Sequence, residues 1–323
     1  MKRVLFFIIF LLLPLTVFAD LEAHFLDVGH GDCTIVLCDG EAMIIDGGNA
    51  GCSQLVYNYL TNHNVSVLKY AVATHPDADH IGGLPSAFHA ATVQTLLSPV
   101  ADHDESRFLT LKKTAQEFSV PVTVPEAGQV FQLGGARMTV LSPAIKFADV
   151  NDLSIVLRID YGETSFLFTG DASSAVERDL IARKANLDAD VLHVSHHGSN
   201  TGTSSAFVSA VSPEFAVISC EDNSASPSWD VLYNLAGIRT LITAQKGTII
   251  IKSDGETLAV SSTQTADAGQ EQYIGNRNSN VFHRGSCESA VTMKDKNKVY
   301  FESAEQAERQ GYRPCKNCSP QIK

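Results

Sequence analysis

The chain has 323 residues, of which 44% are hydrophobic and 19% charged, with a formal net charge of −12. That balance excludes a disordered or fibrous chain and fits one large domain, alone or with a small companion. Its acidity argues against a general polyanion binder, though not against a cation-dependent site, because bound cations reverse the local field.

The sequence opens MKRVLFFIIFLLLPLTVFAD. Lys2 and Arg3 precede an apolar run from Val4 to Leu13, and Val17-Phe18-Ala19 ends it with small residues. This layout predicts a secretory signal peptide over residues 1–19, cut after Ala19. An uncleaved anchor is the alternative, but the run is short for a spanning helix. No later segment is long and apolar enough to span a bilayer. The expectation is a protein exported to the periplasm or beyond, with no stable membrane insertion after cleavage.

From Leu21 to Val260 short strands alternate with helices. FLDV (25–28), CTIVLC (33–38) and AMIID (42–46) are apolar runs divided by Gly and Asp turns, which predicts consecutive strands. QLVYNYLTNH (54–63) has helical spacing, and LKYAVAT (68–74) predicts a buried strand. Further strands are expected at 138–143, 154–160, 165–170, 190–196, 215–219 and 247–253, with helices near 105–118, 174–185 and 228–235. This mixture of hairpins and helices predicts a layered α/β fold. Residues 261–270, SSTQTADAGQ, are small and polar and predict a linker between a domain at 20–260 and a module at 271–323. That module carries nine Lys+Arg against six Asp+Glu, so it is basic where the body is acidic.

The densest chemistry lies in THPDADHIGG, residues 74–83. His75, Asp77, Asp79 and His80 follow a buried strand, on a loop of the kind where α/β proteins hold functional groups. Alternating positions let His75 and Asp77 share one metal, and Asp79 and His80 can reach a second. Imidazole mixed with carboxylate suits Zn, Mn or Fe. The other histidines, His24, His63, His89 and His193, lack a ligand pattern and are expected to be packed or at the surface. Trp229 is expected in the core or at its rim.

The motif resembles the HxHxDH signature of the metallo-β-lactamase superfamily, with Asp77 for the second His. This variant is typical of the branch containing the hydrolase-like domain of ComEC/Rec2 DNA-uptake proteins. FLDVGHGDCTIV is similar to that branch's opening, with His30 where Gln is usual. MIIDGG, NDLSIVLRIDYGETSFLFTGD and DVLHVSHHGS match later motifs in the correct order. The resemblance implies an αββα sandwich and a hydrolase of phosphodiesters, DNA among them, using one or two Zn or Mn ions. It implies that His75 and Asp77 hold the first metal and that Asp79, His80 and His196 hold the second. Asp171 would bridge the two, and Asp46 would be structural. His197 would face substrate, Asp79 would also orient water, and Ser199 with the backbone of residues 197–199 would donate to a developing anion. Asn151 or Asp152 stands where the usual third-motif His belongs. Another ester (a phosphocholine ester, a lactone or a β-lactam) and a non-catalytic DNA-binding accessory are the competing readings.

In the C-terminal module, His283-x3-Cys287 and Cys315-x2-Cys318 form a set suited to one structural zinc. Three Cys cannot all pair among themselves. YIGNRNSNVFHRGSC and NKVYFESAEQAERQGYRPCKNC resemble the zinc-binding domain of the Ada repair protein, which implies a small α+β fold. His283 stands where that family's methyl-accepting Cys belongs, and an imidazole cannot replace a thiolate there. The module therefore reads as structural or DNA-binding, with Arg284, Lys294, Lys296, Lys298, Arg313 and Lys316 available for phosphates.

Overall fold

A computed structural model describes residues 20–145, 147–221, 226–264, 273–284, 287–294, 297–301, 304–316 and 318. The expected signal peptide lies outside the described residues. The chain divides into two compact units between Gln264 and Thr265.

The first unit is built on two sheets. One has the strand order Leu258–Ser262, Ile249–Ser253, Leu21–Phe25, Thr34–Cys38, Glu41–Ile45, Tyr70–Val72, Leu96–Leu97, Val122–Thr123. Its first five strands pair antiparallel and the remainder parallel. The other runs Arg239–Ile242, Phe215–Ile218, Val191–His193, Thr164–Phe168, Val156–Tyr161, Ala136–Ser142, Val130–Leu133. Its antiparallel meander passes into parallel strands after Thr164–Phe168.

Period-two patterning explains the layers. Leu157, Ile159, Tyr161, Phe166 and Phe168 point from their strands into a core shared with Leu21, Phe25, Val36, Met43 and Ile45 of the facing sheet. The alternate residues face outward onto helices. Ile35 and Ile44 pack with Val56 and Leu60 of the helix Ser53–Asn62 and with Leu111 of Ser106–Glu117. Val156 and Leu167 pack with Val176 and Leu180 of Ser174–Ala182 and Phe207 of Ser205–Val211. The result is the expected αββα order of layers. Phe25 and Phe168 stack across the central core at 5.9 Å between centroids, and full burial of a side chain of this size contributes about 1.5–3 kcal/mol.

Two boundaries differ from expectation. The first strand is Leu21–Phe25, so residues 26–28 leave the sheet and carry the GHGD loop toward the metal motif. At the other end the last strand runs to Ser262, and Gln264 N still donates to Lys246 O at 2.9 Å. Residues 261–262 thus belong to the sheet, Thr263 and Gln264 stay bonded to the domain, and the rest of the expected linker lies outside the described residues.

The second unit has a four-stranded sheet ordered Lys298–Phe301, Tyr273–Asn276, Val281–Arg284, Arg313–Pro314, with helices Glu288–Val291 and Ala304–Arg309. Its two small cores, one around Phe282 and Phe301 and one around Cys287 and Cys315, are too slight for a large apolar contribution. No described helix of either unit is long and apolar enough to cross a membrane.

Candidate metal centre

The loops that leave one end of the two sheets bring the first site together. Strand Tyr70–Val72 delivers Thr74 and His75, and the short helix Ala78–Ile81 follows with Asp77 as its N-cap residue. Asp77 makes no capping bond with its side chain, which leaves that carboxylate for another partner. The GHGD loop packs tightly beneath: a Cβ on Gly31 would lie 2.2 Å from Asp79 O. From the second sheet, Asp171 follows strand Thr164–Phe168, and His196 and His197 follow Val191–His193. Both of these histidines hold left-handed backbone, with φ of 51° and 53°. Such conformations cost energy for non-glycine residues and cluster at functional sites.

Asp171 lies between two sets of groups. Its Oδ2 is 3.9 Å from His75 Nε2 and 3.6 Å from His196 Nε2, and His75 Nε2 is 3.7 Å from Asp77 Oδ2. Its Oδ1 is 3.1 Å from His80 Nε2 and 3.6 Å from His197 Nε2, and His197 Nε2 is 3.4 Å from Asp79 Oδ2. One carboxylate therefore has each oxygen turned to a different cluster.

The hydrogen bonds fix which imidazole nitrogens are available. Thr74 Oγ1 donates its one proton to Asp46 Oδ2 at 2.6 Å, so it accepts from His75 Nδ1 at 3.1 Å. His80 Nδ1 donates to Asp46 Oδ2 at 2.8 Å, and His197 Nδ1 to Ser219 O at 3.1 Å. Each ring then turns its Nε2 to the centre, where it is a free acceptor once the ring is neutral. His75 Nε2, His80 Nε2, His197 Nε2, Asp171 Oδ1 and Asp32 Oδ1 are buried without a hydrogen-bond partner. Buried polar atoms left without partners are costly. A cation between them removes that cost, so the residues present fit metal ions.

Electrostatics agree. Burial works to depress the His80 pKa, yet Asp171 and Asp46 hold it well above the ordinary value. Burial opposes charge on His197 too, but Asp171, Asp32 and Asp79 push it up to about 10. Burial favours the neutral acid for Asp171 and Asp79, and the neighbouring histidines nonetheless hold both carboxyls well below the usual range. The site draws positive charge even as protons.

The sequence profile of the metallo-beta-lactamase superfamily matches residues 26–221. The chain belongs to this superfamily. A second profile, the metal binding domain of Ada, matches residues 258–321. The chain is 30% identical over 251 residues to "ComE operon protein 3" of Bacillus subtilis, covering 71% of this chain and 32% of the relative. It is 33% identical over 201 residues to "Recombination protein 2" of Haemophilus influenzae, covering 60% of this chain and 23% of the relative. The chain thus spans a third or less of these curated relatives, and it is ComEC-like over that span. Among solved structures, the metallo-beta-lactamase fold protein YhfI of Bacillus subtilis superposes with a TM-score of 0.51 at 14% identity. That alignment covers 73% of this chain and all of that one, and the likeness is one of fold alone.

Within this metallo-β-lactamase domain, several expected placements need correction. His197, not His196, joins Asp79 and His80: it is the buried ring, while the His196 side chain is 27% exposed and turns to the His75 side. His196 thereby stands near the place left by the missing third-motif His. Of the two residues expected in that place, Asp152 is buried and its Oδ1 accepts from Ser173 N at 3.1 Å. Asn151 Oδ1 is buried without a hydrogen-bond partner. Ser199 N donates to His196 O at 2.7 Å, which removes it from the expected anion donors and leaves the half-buried hydroxyl.

Two residues of the GHGD loop escaped the sequence reading. Asp32 is buried, with Oδ1 3.3 Å from His197 Nδ1 and 3.6 Å from His193 Nε2. His30 Nε2 lies 3.4 Å from Asp79 Oδ2, with its side chain half exposed at the mouth of the site. Their signal was present in the FLDVGHGD stretch, but strand patterning does not say which loop residues turn inward. His193 is packed as expected and bonds Ser219 Oγ at 2.9 Å.

In the second unit, His283, Cys287, Cys315 and Cys318 bring ligand atoms within 4.8 Å of one another. Three thiols and an imidazole at this spacing fit a closed tetrahedral zinc site. His283 Nδ1 and Cys287 Sγ are 3.4 Å apart, and Arg284 N donates to Cys318 Sγ at 3.4 Å. Of the basic residues expected to meet phosphate, Lys294, Arg313 and Lys316 are exposed and Arg284 is partly so, but Lys298 is buried and leaves the set. Lys296 lies outside the described residues.

Proposed function

We propose that this protein is an exported metal-dependent hydrolase that cleaves phosphodiester bonds, with DNA as its substrate class. One observation carries the hydrolase reading: the buried, unpartnered Nε2 atoms of His75, His80 and His197 converge on the carboxylate of Asp171. His75, Asp77 and His196 would hold one cation with Asp171, and Asp79, His80 and His197 another. Such cations supply Lewis acidity toward a phosphoryl oxygen and acidify water at neutral pH.

The chain's own groups position the reactants. Asp79 is partly exposed and stands where it can orient a water. His30 lies half exposed beside Asp79, where it can bond a phosphoryl oxygen. DNA is supported by the names of the relatives, which include "Recombination protein 2" and "Competence protein ComA", and by the Ada-type match. In this reading the C-terminal set holds one structural zinc, and its exposed basic residues assist capture of the polymer.

The test is metal analysis of the purified mature protein joined to a screen with Zn or Mn on a DNA oligomer, bis-p-nitrophenyl phosphate, a lactone and nitrocefin. Turnover of the two diesters is expected. Hydrolysis of the lactone or nitrocefin alone would move the reading to another ester. Absence of both metal and turnover would revive the non-catalytic accessory. Export is tested by N-terminal sequencing of the extracytoplasmic protein, which should begin at Asp20.

A further inference from the structure

His30 stands on a loop whose backbone is held at both ends. Leu26 N donates to Cys33 O at 2.9 Å and closes the base of the loop, and Gly48 N donates to Asp32 O at 2.7 Å. Gly29 and Gly31 flank His30 with φ of 73° and 125°, in the region that favours glycine. The absence of a side chain on Gly31 is what lets the loop lie against the backbone of Asp79 in the helix Ala78–Ile81.

This mount brings the His30 ring to the second ligand cluster. Its Nε2 is 3.4 Å from Asp79 Oδ2, and its ring centroid is 4.6 Å from that of His197. His197 Nε2 lies at the same 3.4 Å from the same Oδ2. Ligand atoms of His30, Asp79 and His197 all lie within 4.8 Å of one another. A separation of 3.4 Å is longer than an ordinary N–H···O bond. It suits two atoms that share one ion: each about 2.1 Å from that ion, they stand about 3.0 Å apart at octahedral angles and about 3.4 Å apart at tetrahedral ones. A surface ion pair accounts for His30 and Asp79 alone, and not for a second imidazole turned to the same oxygen at the same distance.

We infer that His30 is a fifth protein ligand of the ion assigned to Asp79, His80, His197 and Asp171, and that it makes this ion the more tightly held of the two. The inference rests on the two-cation reading of the centre and completes one of its ligand sets. The two sides are unequal without it. The other ion draws on Asp77 and His196, whose side chains are 36% and 27% exposed, whereas His80 and His197 are buried. With Nε2 on the ion, the Nδ1 of His30 keeps its proton, so the same ring can still bond a phosphoryl oxygen.

The test is made on the full-length protein, with histidine enriched in the NMR-active heavy nitrogen isotope and the N-terminal centre loaded with NMR-active cadmium. The expected result is scalar cadmium–nitrogen coupling at His30 Nε2, as at His80 and His197. In His30→Gln the His30 signal should vanish while the other two persist, which also assigns it. A competitive chelator titration should resolve two N-terminal affinities. Losing a ligand should cost at least as much as losing a group that merely orients one, so His30→Gln should weaken the tighter ion by about tenfold or more and the looser one little. The thermal midpoint of the metal-free variant should match that of the wild type, because the His30 side chain is half exposed. Coupling at His80 and His197 with none at His30 overturns the ligand and leaves the two-cation reading standing. Coupling at His30 with both affinities unmoved by His30→Gln, or with only the looser one moved, overturns the claim that His30 tightens its ion. Absence of coupling at all three histidines overturns the cation reading as well. Coupling as expected in protein that cleaves no diester leaves the ligand in place and sinks the hydrolase reading alone.

Discussion

Asp46 touches no reacting group, yet Asp46→Asn should disable the centre. Its buried carboxylate accepts from Thr74 N at 2.8 Å through Oδ1, and from Thr74 Oγ1 at 2.6 Å and His80 Nδ1 at 2.8 Å through Oδ2. An amide of the same shape must place its NH2 on one side or the other. Turned toward Oδ1 it opposes the Thr74 N–H. Turned toward Oδ2 it leaves His80 Nδ1 as an acceptor, which moves the ring proton to Nε2 and aims it at Asp171. One mismatched bond to a charged group costs about 1.5–3 kcal/mol of stability. Loss of a group that orients a metal-binding histidine weakens metal affinity by about 10–100-fold, or roughly 1.4–2.7 kcal/mol. The assay is a competitive chelator titration of the N-terminal metals beside the thermal midpoint of the metal-free protein. Asp46→Asn with wild-type affinity and an unaltered midpoint would refute the claim that the Asp46 bonds set the histidine tautomers.

Further predictions follow from the same geometry. Asp79→Asn and Asp171→Ala should each cut hydrolysis by about a hundredfold or more in folded protein, as read by initial rates on bis-p-nitrophenyl phosphate. His197→Ala should lose about tenfold more metal affinity than His196→Ala, since only His197 is buried with an unpartnered Nε2; the reverse order would restore the arrangement expected from sequence. Because His197 is pushed up to about 10 in the absence of cations, metal binding at neutral pH should release protons and weaken as pH falls, which calorimetry in buffers of differing ionisation enthalpy will show. The sign for folding is the same: protonation of His197 stabilises the metal-free domain fully below its unfolded value near 6.5, and that gain is lost as pH rises through about 10. The thermal midpoint of the chelated protein should accordingly fall between neutral pH and pH about 10. A chelator should strip the carboxylate-rich centre before the site of His283, Cys287, Cys315 and Cys318, while Cys315→Ser should loosen the C-terminal unit and spare turnover of a small diester.

Much of this was legible in the sequence because the strands obey strict alternation. Leu157, Ile159 and Tyr161 against Val156 assign both faces of one strand without coordinates. The HPDADH stretch was legible for a different reason, since four ligand-type side chains on one turn have few structural uses. What escaped depends on loop geometry. The exchange of His196 and His197 follows from consecutive left-handed residues, which no hydrophobic period encodes. Asp32 turns inward only because the GHGD loop closes over Asp79. The loss of the Ser199 N–H follows from the same tight turn. Trp229 is exposed because its helix already buries Val231 and Leu235 on the other face, a choice that a stretch of six residues cannot announce.

The central claim is that the two oxygens of Asp171 serve two cations. Anomalous diffraction from crystals of the full-length protein grown with Mn tests it most directly, with activity measured on the same preparation. The account predicts one peak between Asp171 Oδ2 and the His75, Asp77 and His196 side chains, and another between Oδ1 and those of Asp79, His80 and His197, in protein that cleaves bis-p-nitrophenyl phosphate. Active protein with no anomalous peak at Asp171, or with both peaks on one side of it, would contradict it.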